Sequence, residues 1–176
     1  MRIIKGILYV LAGLLALILI IGLFLPSSFH VERSIVINMP VDSVFKQVND
    51  FNNYAQWNPW LPLDPEAKTQ VSDPSFGIGS QWCWEGQTIG KGRLTRLEVD
   101  NNKFIRSKLV FDDNDNNPSY NYWKFEPLDG NTKVVWGMEG DLDYPVGRFI
   151  GLLMDGMIGA DFEKGLLSLK QRCEAM

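Results

Sequence analysis

The chain has 176 residues, a formal net charge of −4, one histidine and two cysteines. It has no cluster of lysine and arginine, so the electrostatic footprint of a nucleic-acid binder is missing and anionic lipid surfaces are not favoured partners. Cys83 and Cys173 cannot make a disulfide framework and lack C-x-x-C or C-x-x-H spacing, leaving at most one disulfide in an oxidising compartment.

The first predicted element is the run from Gly6 to Leu25, GILYVLAGLLALILIIGLFL, which carries no charged residue. Twenty residues at about 1.5 Å each reach roughly 30 Å, the hydrocarbon thickness of a bilayer. A buried core helix would have a polar face, and here Tyr9 is the sole polar group. A cleaved secretory signal is the nearer rival, but the run is longer than an h-region of ~7–15 residues and LPSSFHVERS has no small-x-small cleavage site. The segment therefore reads as an uncleaved signal anchor over residues 1–26. Arg2, Lys5 and the terminal amine precede it, while Glu32 and Arg33 roughly cancel after it. The positive-inside tendency then predicts a single-pass protein with a cytoplasmic N-terminus and an extracytoplasmic domain.

Residues 27–176 suffice for one domain with a core. FHVERSIVI, from Phe29, alternates as a strand, with Val31, Arg33, Ile35 and Ile37 on one face. From Pro40 to Asn49 a short helix is predicted, because Pro40 suits a first turn, Asp42 complements the dipole, and Val41, Val44, Phe45 and Val48 recur at helical spacing. FNNYAQWNPWLPLDP adds one weak helical turn before its prolines break it. Six strands follow, AKTQVS, GSQWCWEG, GKGRLTRLEVD, KFIRSKLVFD, SYNYWKFEPL and NTKVVWGMEGDL, separated by turn signals such as DDNDNNP and LDGN. Short links imply an antiparallel meander. The last segment changes period: Phe149, Leu153 and Met157, then Phe162, Leu166 and Leu169, give a long helix one apolar face, which Gly156 and Gly159 are expected to kink or split. Strands followed by a helix imply an α+β fold with that helix on one sheet face.

VERSIVINMPVDSVFKQVNDFNNYAQWNPW, WEG with the following GKG, GNTKVVWGMEGD and MDGMIGADFEKGLLSLK occur in this order along the chain. Together they resemble the membrane-anchored members of the polyketide cyclase/dehydrase and lipid-transport group, in the START-like (SRPBCC) superfamily. The resemblance implies a helix-grip fold, in which a curved antiparallel sheet wraps around the C-terminal helix and leaves a largely apolar cavity. It implies binding of hydrophobic ligands such as lipids, sterols and polyketides, with a minority of members being enzymes, and carries over no reaction.

Strand alternation selects the side chains that face inward. Asn121, Trp123 and Phe125 oppose Lys124 and Glu126; Val134, Trp136 and Met138 oppose Lys133 and Glu139; Ile105, Ser107, Leu109 and Phe111 oppose Arg106 and Lys108. In QWCWEG, Trp82 and Trp84 turn inward while Gln81, Cys83 and Glu85 face out, since the opposite register would bury Glu85 and expose two indoles. Trp82, Trp84, Leu109, Phe111, Trp123, Trp136 and Met138 are thus candidate cavity walls as well as candidate core. Leu153 and Met157 join them from the helix, and Trp57 and Trp60 of WNPW read either as a mouth of the cavity or as a cap on the open end of the sheet.

No metal or cofactor motif is visible. In DDNDNNP, Pro118 stands where a calcium loop needs glycine and Lys124 where it needs glutamate, so the stretch reads as a polar hairpin turn. Serines have no histidine partner, because the lone His30 reads as a polar residue at the membrane surface. Asp155 reads as solvent-facing, since acidic residues are rarely buried unpaired. These observations predict a membrane-tethered domain that binds a lipid or other hydrophobic small molecule. The alternatives are a cyclase or dehydratase using acid–base residues in the same cavity, and a protein-interaction module with a filled core.

Overall fold

The structure, a computed structural model, describes residues 2–176. Met1 and the side chains of Arg2 and Ile3, on which part of the positive-inside expectation rests, lie outside the described residues. Helix α1 spans Arg2–Phe24, and its Ile4–Phe24 stretch is long and apolar enough to cross a membrane, with nearly all of its surface exposed. Strand β1, Ser28–Ile37, begins after the three residues Leu25, Pro26 and Ser27. Helix α2, Val41–Asn49, starts behind Pro40 as predicted and buries Val44, Phe45, Gln47 and Val48. The weak turn is helix α3, Phe51–Tyr54, whose start is capped by the Asp50 carboxylate accepting from the Asn52 N–H at 2.9 Å.

The meander forms as predicted: β2 (Lys68–Val71), β3 (Gln81–Glu85), β4 (Lys91–Asp100), β5 (Phe104–Phe111), β6 (Ser119–Leu128) and β7 (Asn131–Asp141). All pairs are antiparallel, and β1 joins beyond β7, giving a seven-stranded sheet of order β1-β7-β6-β5-β4-β3-β2. The LDGN signal becomes a tight hairpin in which Leu128 pairs with Asn131 while Asp129 (φ 35) and Gly130 (φ 83) take the positive φ such a turn demands. DDNDNNP is the polar β5–β6 turn, whose carboxylates pair with strand cations: Asp113 with Lys91 at 2.6 Å, and Asp115 with Lys108 at 2.6 Å and Arg93 at 3.1 Å.

Helix α4 runs unbroken over Val146–Glu174, so the expected split at Gly156 and Gly159 does not occur. At Gly159 the missing side chain makes room for the Arg33 guanidinium, and at Gly165 for the Trp136 indole, so glycine's helical cost is offset by close approach of the sheet. The C-terminal half of α4 buries Phe162, Leu166, Leu169 and Cys173 against the sheet. Cys173 is in this core and Cys83 lies half-buried on β3; both are free thiols.

One polar side chain sits in the interior where the sequence reading placed none. Arg96 of β4 is fully buried, donates from Nη1 to Ser107 Oγ at 2.9 Å and from Nη2 to the Val48 carbonyl, and stacks over the Phe51 ring at 4.3 Å. Val48 O is one of the last carbonyls of α2, so the guanidinium caps that helix from the sheet. Burial lowers its pKa to about 10, which leaves it charged at neutral pH.

Candidate functional site

The inward-facing aromatic residues come together as alternation predicts, and they touch one another. Trp123 stacks on Trp136 with centroids 4.4 Å apart, and Trp136 stacks on Phe162 of α4 at 4.1 Å, so three rings from β6, β7 and α4 form one pile. Trp57 meets Trp123 edge-on at 5.7 Å, and Trp60 meets Trp136 at 5.6 Å. Trp57 is buried and donates its indole N–H to the Gln47 carbonyl at 3.0 Å, whereas Trp60 is half-buried and donates to Asp161 Oδ2 at 3.2 Å. WNPW therefore plugs the space between the sheet and the distal half of α4. Trp82 and Trp84 face the same interior, stacked on each other at 4.7 Å, with Tyr54 edge-on to Trp82 at 5.3 Å. Met138 is buried in this cluster and Leu109 packs at its margin.

Three expected inward residues are placed elsewhere. Leu153 and Met157 are 62% and 61% exposed, because the inward positions in this half of α4 are Met154 and Ile158. The segment VGRFIGLLMDGMIGA is apolar nearly all round, so spacing alone could not choose the buried side. Phe111 is 49% exposed; it ends β5 opposite Gly92 and is met edge-on by Trp84 at 5.9 Å.

An unfilled space occurs at the other end of α4, where the helix rises from the sheet beside α1. It is a hollow of about 200 Å³ walled by Phe29 and Val31 of β1, Leu142, and Leu152 and Met154 of α4, with Arg148 and Asp155 at its rim. A larger groove of about 500 Å³ runs along the distal half of α4, but Lys164, Gln171 and Arg172 line it and it lies open to solvent. The smaller hollow is the more enclosed of the two, and Ser28 and His30 line it beside the apolar side chains.

Arg33 fixes the helix that roofs this hollow. Its guanidinium grips Asp155 through two bonds, Nη1–Oδ1 at 2.9 Å and Nη2–Oδ2 at 3.1 Å, and donates from Nε to Glu163 Oε1 at 2.9 Å. The hydrogen bond from Arg33 holds the Asp155 carboxyl below the usual carboxylate range. Asp155 faces solvent, as read from sequence, and serves as the sheet's anchor on α4.

The opposite face of the sheet carries a polar cluster that required strand register to find. Tyr122 Oη donates to Glu32 Oε2 at 2.6 Å and lies 3.2 Å from His30 Nε2, while Lys124 Nζ reaches Glu32 at 3.3 Å. The Tyr122 bond holds the Glu32 carboxyl low, and burial pushes the Tyr122 phenol up. These groups surround a shallow, open surface depression and form no enclosed site.

A seven-stranded antiparallel sheet gripping a long C-terminal helix defines the helix-grip class of α+β proteins. Within that class, the chain belongs to the family described as polyketide cyclase / dehydrase and lipid transport, which it matches over residues 28–174. No curated protein matches the sequence. Among solved structures it is similar to a structural-genomics protein of Chromobacterium violaceum, at 17% identity and TM-score 0.60, covering 85% of this chain and 98% of that one. It is similar to the di-domain ARO/CYC StfQ of the steffimycin biosynthetic pathway (13% identity, TM-score 0.62, 84% of this chain and 51% of that one). It is also similar to a Thalictrum norcoclaurine synthase point mutant bound to a transition-state analogue (10% identity, TM-score 0.63, 82% and 96%). Identities this low establish a shared fold.

Proposed function

We propose that this protein is a membrane-tethered helix-grip domain that binds a lipid or another hydrophobic small molecule, with residues 1–26 as anchor and 27–176 as binding domain. The observation that carries the reading is the hollow between Phe29, Val31, Leu152 and Met154, which opens beside the end of α1. Apolar walls and a position next to the apolar helix suit a ligand that partitions into a bilayer. Packing of α1 on the domain supports an anchor over a cleaved signal: Gly22 is buried beneath Tyr144, Pro145 and Phe149. Arg2 and Lys5, at the N-terminal end of the apolar run, favour a cytoplasmic N-terminus and an extracytoplasmic domain. Protease accessibility of the domain in intact cells tests that orientation.

The binding reading is tested by native mass spectrometry of the full chain released from nanodiscs, compared with Met154→Trp, which fills the hollow. Lipid bound to the wild-type chain and lost from the variant is the expected result. Equal lipid retention by both chains, or none by either, overturns it. A second reading, an interaction module with a filled core, is favoured by the tryptophan pile that occupies the space between the sheet and the distal half of α4. Absence of lipid from the wild-type chain would promote it.

A further inference from the structure

The exposed apolar residues of the domain concentrate on the first half of α4. Val146, Ile150, Leu153 and Met157 are all exposed and recur at i, i+4, i+7 and i+11, forming one outward stripe about 17 Å long. A contiguous apolar stripe of this kind on a folded domain marks an interaction surface. The stripe ends where the helix becomes a core element: beyond Ala160 the outward positions include Glu163, Lys164, Gln171 and Glu174.

Charge and position identify what covers it. Val146 to Ala160 contains two charged residues, and both are engaged by the protein: Asp155 by Arg33, and Arg148 by the end of α1. Arg148 Nη1 donates to the carbonyls of Gly22 at 3.0 Å, Leu23 at 3.4 Å and Leu25 at 3.5 Å, so its cation neutralises the unsatisfied C-terminal carbonyls of α1. Tyr144 donates its hydroxyl to the Leu19 carbonyl at 2.8 Å, which places the start of α4 alongside the last turn and a half of α1. An aromatic ring with a polar tip at this level is typical of the membrane–water interface. The stripe thus begins beside the C-terminal end of the apolar α1.

We infer that the first three turns of α4 lie in the bilayer interface with their outward apolar stripe in the membrane, so that the protein enters the membrane at two places, through α1 and through the stripe Val146, Ile150, Leu153 and Met157. The inference rests on α1 being membrane-spanning.

The test is nitroxide accessibility in the full chain, reconstituted in phosphatidylcholine vesicles, with Cys83 replaced by serine; Cys173 is buried, its thiol pushed up to about 11 by burial, and resists labelling. Labels at Ile150→Cys, Leu153→Cys and Met157→Cys should relax faster with oxygen than with an aqueous nickel chelate, and Lys164→Cys the reverse. Chelate-accessible labels at 150, 153 and 157 overturn the inference. So does strong dipolar coupling between labels on different chains, which would assign the stripe to a second copy. A Leu14→Cys label separates the two readings: membrane-protected Leu14 with aqueous Leu153 sinks the interfacial stripe alone, whereas aqueous Leu14 sinks the anchor and the inference together.

Discussion

Tyr122 and Glu32 are hydrogen-bonded at 2.6 Å although strand β7 lies between their strands. Gly137 makes this geometry: it pairs with Glu32 on one side and Tyr122 on the other, and the phenol ring lies where a side chain at 137 would stand. Gly137→Val should therefore displace Tyr122 and destabilise the domain by about 1–3 kcal/mol through overpacking. Tyr122→Phe, which keeps the ring and removes the bond to a charged partner, should cost about 1.5–3 kcal/mol at most, because Glu32 can recover water. Thermal unfolding in detergent gives both numbers, and a Gly137→Val chain as stable as wild type would contradict this account.

The aromatic pile predicts a gradient of sensitivity. Trp136 is fully buried and touches Trp57, Trp60, Trp123 and Phe162, so Trp136→Ala should cost about 3–5 kcal/mol. Trp84 sits at the edge of the same interior, against the half-exposed Phe111, and its replacement by alanine should cost clearly less. Denaturant titrations that rank Trp84 above Trp136 would show that the centre of packing has been misplaced.

Acid should loosen the two faces of the sheet together. Glu32 is held below its ordinary 4.5 chiefly by the Tyr122 bond, and Asp155 below 3.8 chiefly by the Arg33 bond. For such carboxylates the unfolded chain binds more protons, so their contribution is complete above those ordinary values and is lost as pH falls through the lower, folded ones. Melting temperature should be flat from pH 7 to 5 with respect to these groups and fall below about pH 4. The fall should be shallower in Glu32→Gln and Asp155→Asn, and identical slopes in wild type and both variants would remove these groups as the cause.

Arg148 should control how firmly α1 is seated. Arg148→Gln removes a cation from the helix C-terminus, a contribution of about 0.3–1 kcal/mol at such sites. Backbone amides in the last turn of α1 should then exchange roughly two- to five-fold faster, while those of β6 and β7 stay unchanged. Uniform acceleration across the domain would instead indicate global destabilisation.

Most of the fold was legible in local pattern. Turn residues and alternation gave the strands and the inward set on β3, β6 and β7, because charged residues such as Glu85, Lys124, Glu126, Lys133 and Glu139 mark the outer face of each. Legibility failed where burial is not one-sided. In Val146 to Ala160 both sides of the helix are apolar, one facing Leu142 and β1 and the other facing out, and the periodicity of Phe149, Leu153 and Met157 picked the wrong one. Arg96 was missed because an arginine on a strand reads as an outward residue, and nothing local announces that α2 will offer its Val48 carbonyl above it. His30, Glu32 and Tyr122 converge through the β1-β7-β6 order, a long-range fact absent from any window of sequence. The middle of the sheet, where family resemblance implies a cavity, is filled for a volumetric reason, by tryptophans from WNPW, β6 and β7, and the hollow described above lies at the first half of α4 instead.

The three-residue link between α1 and β1, together with the Arg148 and Tyr144 bonds, makes the junction a mount and not a leash. A leashed domain explores a hemisphere set by its linker and could ferry cargo outward. In the membrane-tethered protein proposed above, a mounted domain would hold its hollow at a single height and azimuth over the membrane. Cargo would have to arrive by lateral diffusion within the leaflet, and any onward delivery would require a partner that docks against a stationary port.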